Sequence, residues 1–131
     1  MGRRLKPSEE WLKQADYDFE TAEAMFRTGR YIYAVFMVHL AIEKVLKGLY
    51  TEVQQEIPPR VHNLVYLAKK SSVVPPEKIR NFLEYLNTIN VPLRYPESLE
   101  KTLREFTKEK VREILEMGKE SLKWLKGKLE K

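Results

Sequence analysis

Residues 31–50 read YIYAVFMVHLAIEKVLKGLY, and this stretch decides the fold. It is apolar on nearly every side until Glu43. A helix that is hydrophobic all round is surrounded by other helices or by a second subunit. The stretch therefore predicts a central helix over 31–50, with the rest of the chain arranged around it.

Working outward toward the N-terminus, Leu12, Ala15, Phe19, Ala22 and Phe26 recur at helical spacing and form one stripe for a neighbouring helix. Ser8 is the expected cap of that helix, with Glu9 and Glu10 in its first turn, where the helix dipole favours acids. Gly29 ends it, and the acids lie largely off the stripe. Toward the C-terminus, Ile57-Pro58-Pro59 forces an extended connection, because proline disfavours helical geometry in the residue before it. A short helix is expected from about His62 to Ser71. Pro75 and Pro76 open a fourth helix, with Ile79, Phe82, Leu83, Leu86 and Ile89 on its apolar face and Pro92 stopping it. The segment 91–106 reads as a long ordered loop with room for one helical turn. A last helix starts near Thr107 and packs through Val111, Ile114, Leu115, Leu122, Leu125 and Leu129; Gly118 falls on that stripe, where the missing side chain lets another helix come close. There is no internal repeat and no low-complexity segment. The expectation is all-α: an up-and-down helical bundle of four long helices plus one short helix, a single domain over 1–131 with a basic tail over 1–7.

Composition agrees with one such unit. A chain of 131 residues, 43% hydrophobic and 33% charged, can bury one core and is not a disordered sequence. The longest nearly apolar run, Tyr31 to Ile42, is far short of the roughly 20 residues that span a bilayer. No basic segment feeds an apolar one at the N-terminus and there is no cysteine, so a cytoplasmic location is expected. Abundant Lys and Glu with few Asn and Gln resemble the usage of thermophiles. The net charge of +5 is unevenly placed: Arg3, Arg4 and Lys6 make the N-terminus basic, whereas residues 8–27 carry six acids against two bases. A basic surplus over the remainder favours a polyanionic partner, since each cation that neutralises a phosphate releases counterions; its plainer reading is a solvated mixed-charge surface.

Three constellations could carry chemistry. His39, Glu43 and Lys47 recur at intervals of four and form one polar row on an otherwise greasy helix. The row can line a phosphate-binding cleft, or be a surface Glu43–Lys47 ion pair with His39 as a satisfied buried imidazole. His62 follows Pro58-Pro59-Arg60 at a helix start, where it either caps the helix or touches a ligand, with Arg60 two residues away. Pro92-Leu93-Arg94-Tyr95-Pro96 presents a guanidinium beside an aromatic ring between two prolines. Arginine with tyrosine can grip a phosphate and stack a base; alternatively Tyr95 plugs the bundle end while Arg94 pairs with an acid. Other chemistries lack their motifs. Two histidines without cysteine give none of the usual zinc spacings, and His39 with Glu43 is only part of a metalloprotease helix motif. No Gly-rich phosphate loop and no serine elbow is present, so neither a metal nor a cofactor is expected.

Four stretches, in order along almost the whole chain, resemble the HEPN family of helical nucleotide- or RNA-binding domains. They are Trp11-Leu12-Lys13-Gln14-Ala15-Asp16-Tyr17-Asp18, Ala41-Ile42-Glu43-Lys44-Val45-Leu46-Lys47-Gly48, Pro58-Pro59-Arg60-Val61-His62-Asn63-Leu64 and Arg94-Tyr95-Pro96. The resemblance implies a bundle of about five helices, a homodimer, and pairing with a minimal nucleotidyltransferase in a two-component module of toxin–antitoxin type. It places Glu43, Lys44, Lys47, His62 and Arg94 at the family's recurrent polar positions. Many members are metal-independent ribonucleases that use an arginine, four to six intervening residues and a histidine. Here Arg60 precedes His62 by two positions, Arg30 precedes His39 by nine, and no histidine follows Arg94. The implied function is thus binding of nucleotide or RNA phosphate through Glu43, Lys44, Lys47, Arg60, His62, Arg94 and Tyr95, with no catalytic residue assigned. The alternatives are a ribonuclease with a non-standard site and a module that only docks a partner protein.

Overall fold

A computed structural model describes residues 5–129. Arg3 and Arg4 of the expected basic tail lie outside the described residues. Six helices follow one another: α1 (Ser8–Arg27), α2 (Tyr31–Gln54), α3 (Leu64–Lys70), α4 (Glu77–Arg94), α5 (Leu99–Glu105) and α6 (Lys108–Gly127). Four are long and two are short, one short helix more than expected.

The central position of α2 follows from its composition. Ile32, Ala34, Val35, Val38, Ala41, Ile42, Val45, Leu46 and Leu49 are all buried, and α2 touches each of the other five helices. Two glycines set how closely its neighbours approach. A Cβ on Gly118 would lie 2.7 Å from Val38 Cγ1, so α6 crosses α2 where the sequence placed a close approach. A Cβ on Gly48 would lie 3.1 Å from the Trp11 Cβ, which is how the first turn of α1 reaches α2. Between α1 and α2 the chain reverses through Gly29 at φ +80, a left-handed geometry that other residues adopt at a cost. Lys126 reaches Asp16 at one end of the α1–α6 pair and Arg112 lies over Phe26 at the other, so these two helices are antiparallel.

Several boundaries differ from the sequence-based expectations. Ser8 does not cap α1: Pro7 occupies the cap position in extended geometry, and the Ser8 hydroxyl donates instead to Glu52 Oε1 at 2.7 Å. That bond belongs to an added turn of α2, which runs on to Gln54 and stops where Gln55 turns left-handed at φ 55. Nothing in Thr51–Gln54 breaks a helix, and the Gln54 amide donates to the Lys70 carbonyl at 2.7 Å, which ties this turn to α3. Neither does Pro92 stop α4. It removes a single backbone donor near the helix end, the Tyr95 N–H still reaches the Val91 carbonyl at 2.9 Å, and buried Leu93 anchors the last turn in the core. Within the expected loop 91–106, Ser98 caps α5 by accepting from the Lys101 N–H, and buried Phe106 pins the chain before Thr107 caps α6.

Candidate functional site

At the centre of the polar row lies Glu43, a buried carboxylate on α2. Lys47 Nζ donates to its Oε2 at 2.9 Å, one helical turn on. His62 Nδ1 lies 3.0 Å from Oε1 and 3.1 Å from Oε2, so the imidazole sits astride both oxygens. His39 Nδ1 is 3.7 Å from Oε1, too long for a hydrogen bond but close enough for attraction. One buried anion therefore gathers three nitrogen-bearing side chains. The surface-ion-pair reading of Glu43 and Lys47 does not hold, because the Glu43 side chain is only 5% exposed and that of Lys47 12%. His39 is not a satisfied imidazole either: it is buried, and its Nε2 has no hydrogen-bond partner.

The electrostatics of His39 report how crowded the hub is. Its pKa falls from 6.5 to about 4, first because burial penalises the charged ring. Glu43 pulls the other way, as does the nearby His62 backbone carbonyl, while the His62 side chain and Arg94 push it further down. At neutral pH His39 is an uncharged buried ring.

Placement of His62 comes from its neighbour in sequence. Asn63, not His62, caps α3: its Oδ1 accepts from the Tyr66 N–H at 3.0 Å. The same oxygen accepts from Asn87 Nδ2 at 2.9 Å, and Asn87 Oδ1 accepts from the Leu64 N–H at 2.9 Å. This reciprocal pair clamps the start of α3 against α4 and holds His62 over Glu43. With Nδ1–H directed at the carboxylate, Nε2 is the nitrogen left for other partners. The ring stays open to solvent, its side chain 53% exposed.

The Arg94 guanidinium lies 4.8 Å from the centre of the Phe36 ring, a cation–π contact that carries it across from the end of α4 onto α2. Phe36 precedes His39 by three residues, which explains why the Arg94 charge is felt there. Among the described residues no ion pair joins Arg94 to a carboxylate. Tyr95 does not plug the bundle; it is 73% exposed. Arg60 is exposed and makes no hydrogen bond or ion pair among the described residues. Lys44 belongs elsewhere: it reaches across to α1 and pairs with buried Asp18 at 2.8 Å, so it braces α1 against α2.

Glu43, Lys47 and His62 thus come together, with Arg94 acting on His39 at the edge of the group, Tyr95 next to Arg94 in the chain and Arg60 on the segment leading to His62. Sequence reasoning missed Asp18, Phe36, Asn63 and Asn87. Asn63 carried a signal, a capping residue immediately before Leu64, and Phe36 sits one turn before His39; Asn87 carried none. Among the described residues no group of His, Asp and Glu is arranged to hold a metal ion, and no helix is long and apolar enough to cross a membrane. The site can hold an anion against the outer imidazole and guanidinium, with Glu43 fixing the orientation of the imidazole.

The family model for the HEPN domain matches residues 8–128. Among solved structures, the chain is similar to an archaeal HEPN homologue at 28% identity and TM-score 0.75, with 96% of this chain and 100% of that chain covered. It is also similar in fold to a protein from Thermus thermophilus at 24% identity and TM-score 0.78, with 92% and 97% covered. No curated relative matches the sequence.

Proposed function

The chain belongs to the HEPN domain family, whose members are usually concerned with nucleotides or RNA, and on that premise we propose that the whole chain is one such domain that binds nucleotide or RNA phosphate. One observation carries the reading: buried Glu43 holds the exposed His62 ring in place while Arg94 is laid across Phe36, and both His62 and Arg94 act on His39 in the same group. An imidazole fixed on the segment that leads into α3 and a guanidinium at the end of α4 form a receptor for a phosphate, and exposed Tyr95 supplies a face on which a base stacks. Lys47 and Glu43 are the support beneath, and exposed Arg60 adds charge at the rim. In this reading the protein acts as a homodimer with a minimal nucleotidyltransferase, in a cytoplasmic two-component module of toxin–antitoxin type.

Titration of the purified chain with ATP, other nucleotides and a short single-stranded RNA tests the ligand. Binding weakened about tenfold or more by Arg94→Ala and by His62→Gln is expected. Absence of binding, or binding indifferent to both substitutions, removes the proposal. Co-purification with the product of the adjacent gene tests the partner, and copurification without any nucleotide affinity favours a pure docking module.

A second reading rests on the His62–Glu43 contact itself. A carboxylate on Nδ1 with a solvent-open Nε2 is the arrangement of an oriented general base, which supports a metal-independent ribonuclease built on His62 and Arg94 despite the missing spacing motif. RNA cleavage in the presence of chelator, abolished by His62→Ala, would replace the binding-only reading with this one.

A further inference from the structure

On the other side of α2 from Glu43, α1 and α6 both lean on α2 and leave a groove between them. Its wider part encloses about 690 Å³ and continues into a smaller part of about 260 Å³ past Phe19, Glu23 and Lys119, which line both. The floor is apolar, formed by Phe19, Phe26, Leu115 and Leu122. The walls are charged and opposite in sign. Asp16, Glu20 and Glu23 rise on the α1 side, and Lys126, Lys123 and Lys119 on the α6 side. Each set falls at one residue, four on and seven on, so each is a continuous row along its helix. At the far end the signs exchange: Arg27 stands on α1 and Glu116 on α6.

Opposite charges facing each other across a gap would be expected to close it. Only one pair does so among the described residues, Lys126 with Asp16, at one end of the groove. Glu20 and Glu23 make no ion pair with Lys123 or Lys119, because both helices are fixed to α2, α1 by the Lys44–Asp18 pair and α6 by the Gly118–Val38 contact. Beyond that one pair the walls are held apart over an apolar floor with their charges unpaired across the groove. A polyanion does not suit this surface, since a row of carboxylates runs the length of one wall. A helix does: the row from Asp16 to Arg27 spans about 16 Å at ~1.5 Å per residue, room for three turns.

The geometry points to a docking groove for one amphipathic helix of a protein partner. That helix carries an apolar stripe for the floor, basic residues on the flank against α1 and acidic residues on the flank against α6. It makes a fourth helix beside α1, α2 and α6, recognised by helix-in-groove packing. The opposite signs of the two walls fix its direction, because a helix inserted the other way, with its apolar stripe still on the floor, would set its basic flank against the lysines of α6. The groove is separate from the phosphate site, so the two stand or fall independently.

The test uses the full chain and a designed helical peptide of about three turns, with a leucine stripe, lysines on one flank and glutamates on the other. Fluorescence anisotropy is expected to show one-to-one binding. Glu20→Lys with Glu23→Lys should weaken it at least tenfold, and a peptide whose lysines are replaced by glutamates should regain affinity for that variant. Lys119→Glu with Lys123→Glu, two exposed positions that leave the core untouched, is the parallel variant, and circular dichroism checks that each variant is helical. No binding by the wild type, or equal binding by all variants, overturns the proposal. So does a wild-type dimer in sedimentation that Glu20→Lys with Glu23→Lys dissociates, which would make a second copy the occupant, or displacement of the peptide by short RNA.

Discussion

Removing the Glu43 carboxylate leaves Lys47 and His62 without their acceptor, and Lys47 is too covered to recover full hydration. Breaking a buried pair by deleting one partner costs on the order of 3 kcal/mol. Glu43→Ala is therefore expected to lower the unfolding free energy obtained from urea titration by that amount, whereas His62→Gln, at an exposed position, should cost less than about 1 kcal/mol while weakening ligand binding about tenfold or more. His39 predicts a pH effect. Its folded pKa of about 4 lies below the ordinary 6.5, so between these values the unfolded chain binds more protons than the folded one. Stability is complete above pH 6.5 and falls as the pH drops toward 4. The loss is on the order of 3 kcal/mol, and His39→Gln should flatten that part of a stability–pH curve. Residue identity was partly legible beforehand. Spacing alone put His39, Glu43 and Lys47 in one row, but it could not show that the row is buried or that His62 completes it, because that contact spans nineteen positions and depends on how α3 docks.

Among the elements, periodicity and punctuation marked the long helices well and the connections poorly. α2 and α6 were readable because their apolar residues repeat over five turns or more, and Gly118 was readable because it interrupts the stripe of α6 at a contact. Gly118→Ala would bring a methyl group to 2.7 Å from Val38 Cγ1, and overpacking of this kind costs about 1–3 kcal/mol. Val38→Ala in the same protein should return part of it, measured as a double-mutant cycle by thermal melts. Gly127→Ala meets nothing within 4 Å and should be neutral or slightly stabilising. Pro92 misled the reading because a proline near a helix end removes only one bond, and α5 escaped it because α5 has no buried residue and thus no apolar stripe to announce it. The α3 cap is worth testing too: Asn63→Ala removes both the Tyr66 acceptor and the Asn87 link, costing about 1–2 kcal/mol and loosening His62.

Over the whole molecule, α2 divides two surfaces that differ in charge. One carries the outer cations above Glu43 and suits phosphate; the other is the zwitterionic α1–α6 groove and suits a helix. A surplus of +5 read from the sequence could not separate them, since it sums over both faces. Phosphate recognition makes binding depend on salt, because every cation–phosphate contact releases counterions. The most direct measurement is the equilibrium affinity for a short single-stranded RNA across a range of salt concentrations, in the wild type and in His62→Gln with Arg94→Ala. The account predicts that wild-type affinity falls as salt rises, that the double substitution weakens binding by tenfold or more, and that it flattens the salt slope by about 1 unit. Wild-type binding that ignores salt, or a double variant with the same affinity and slope as the wild type, would contradict it.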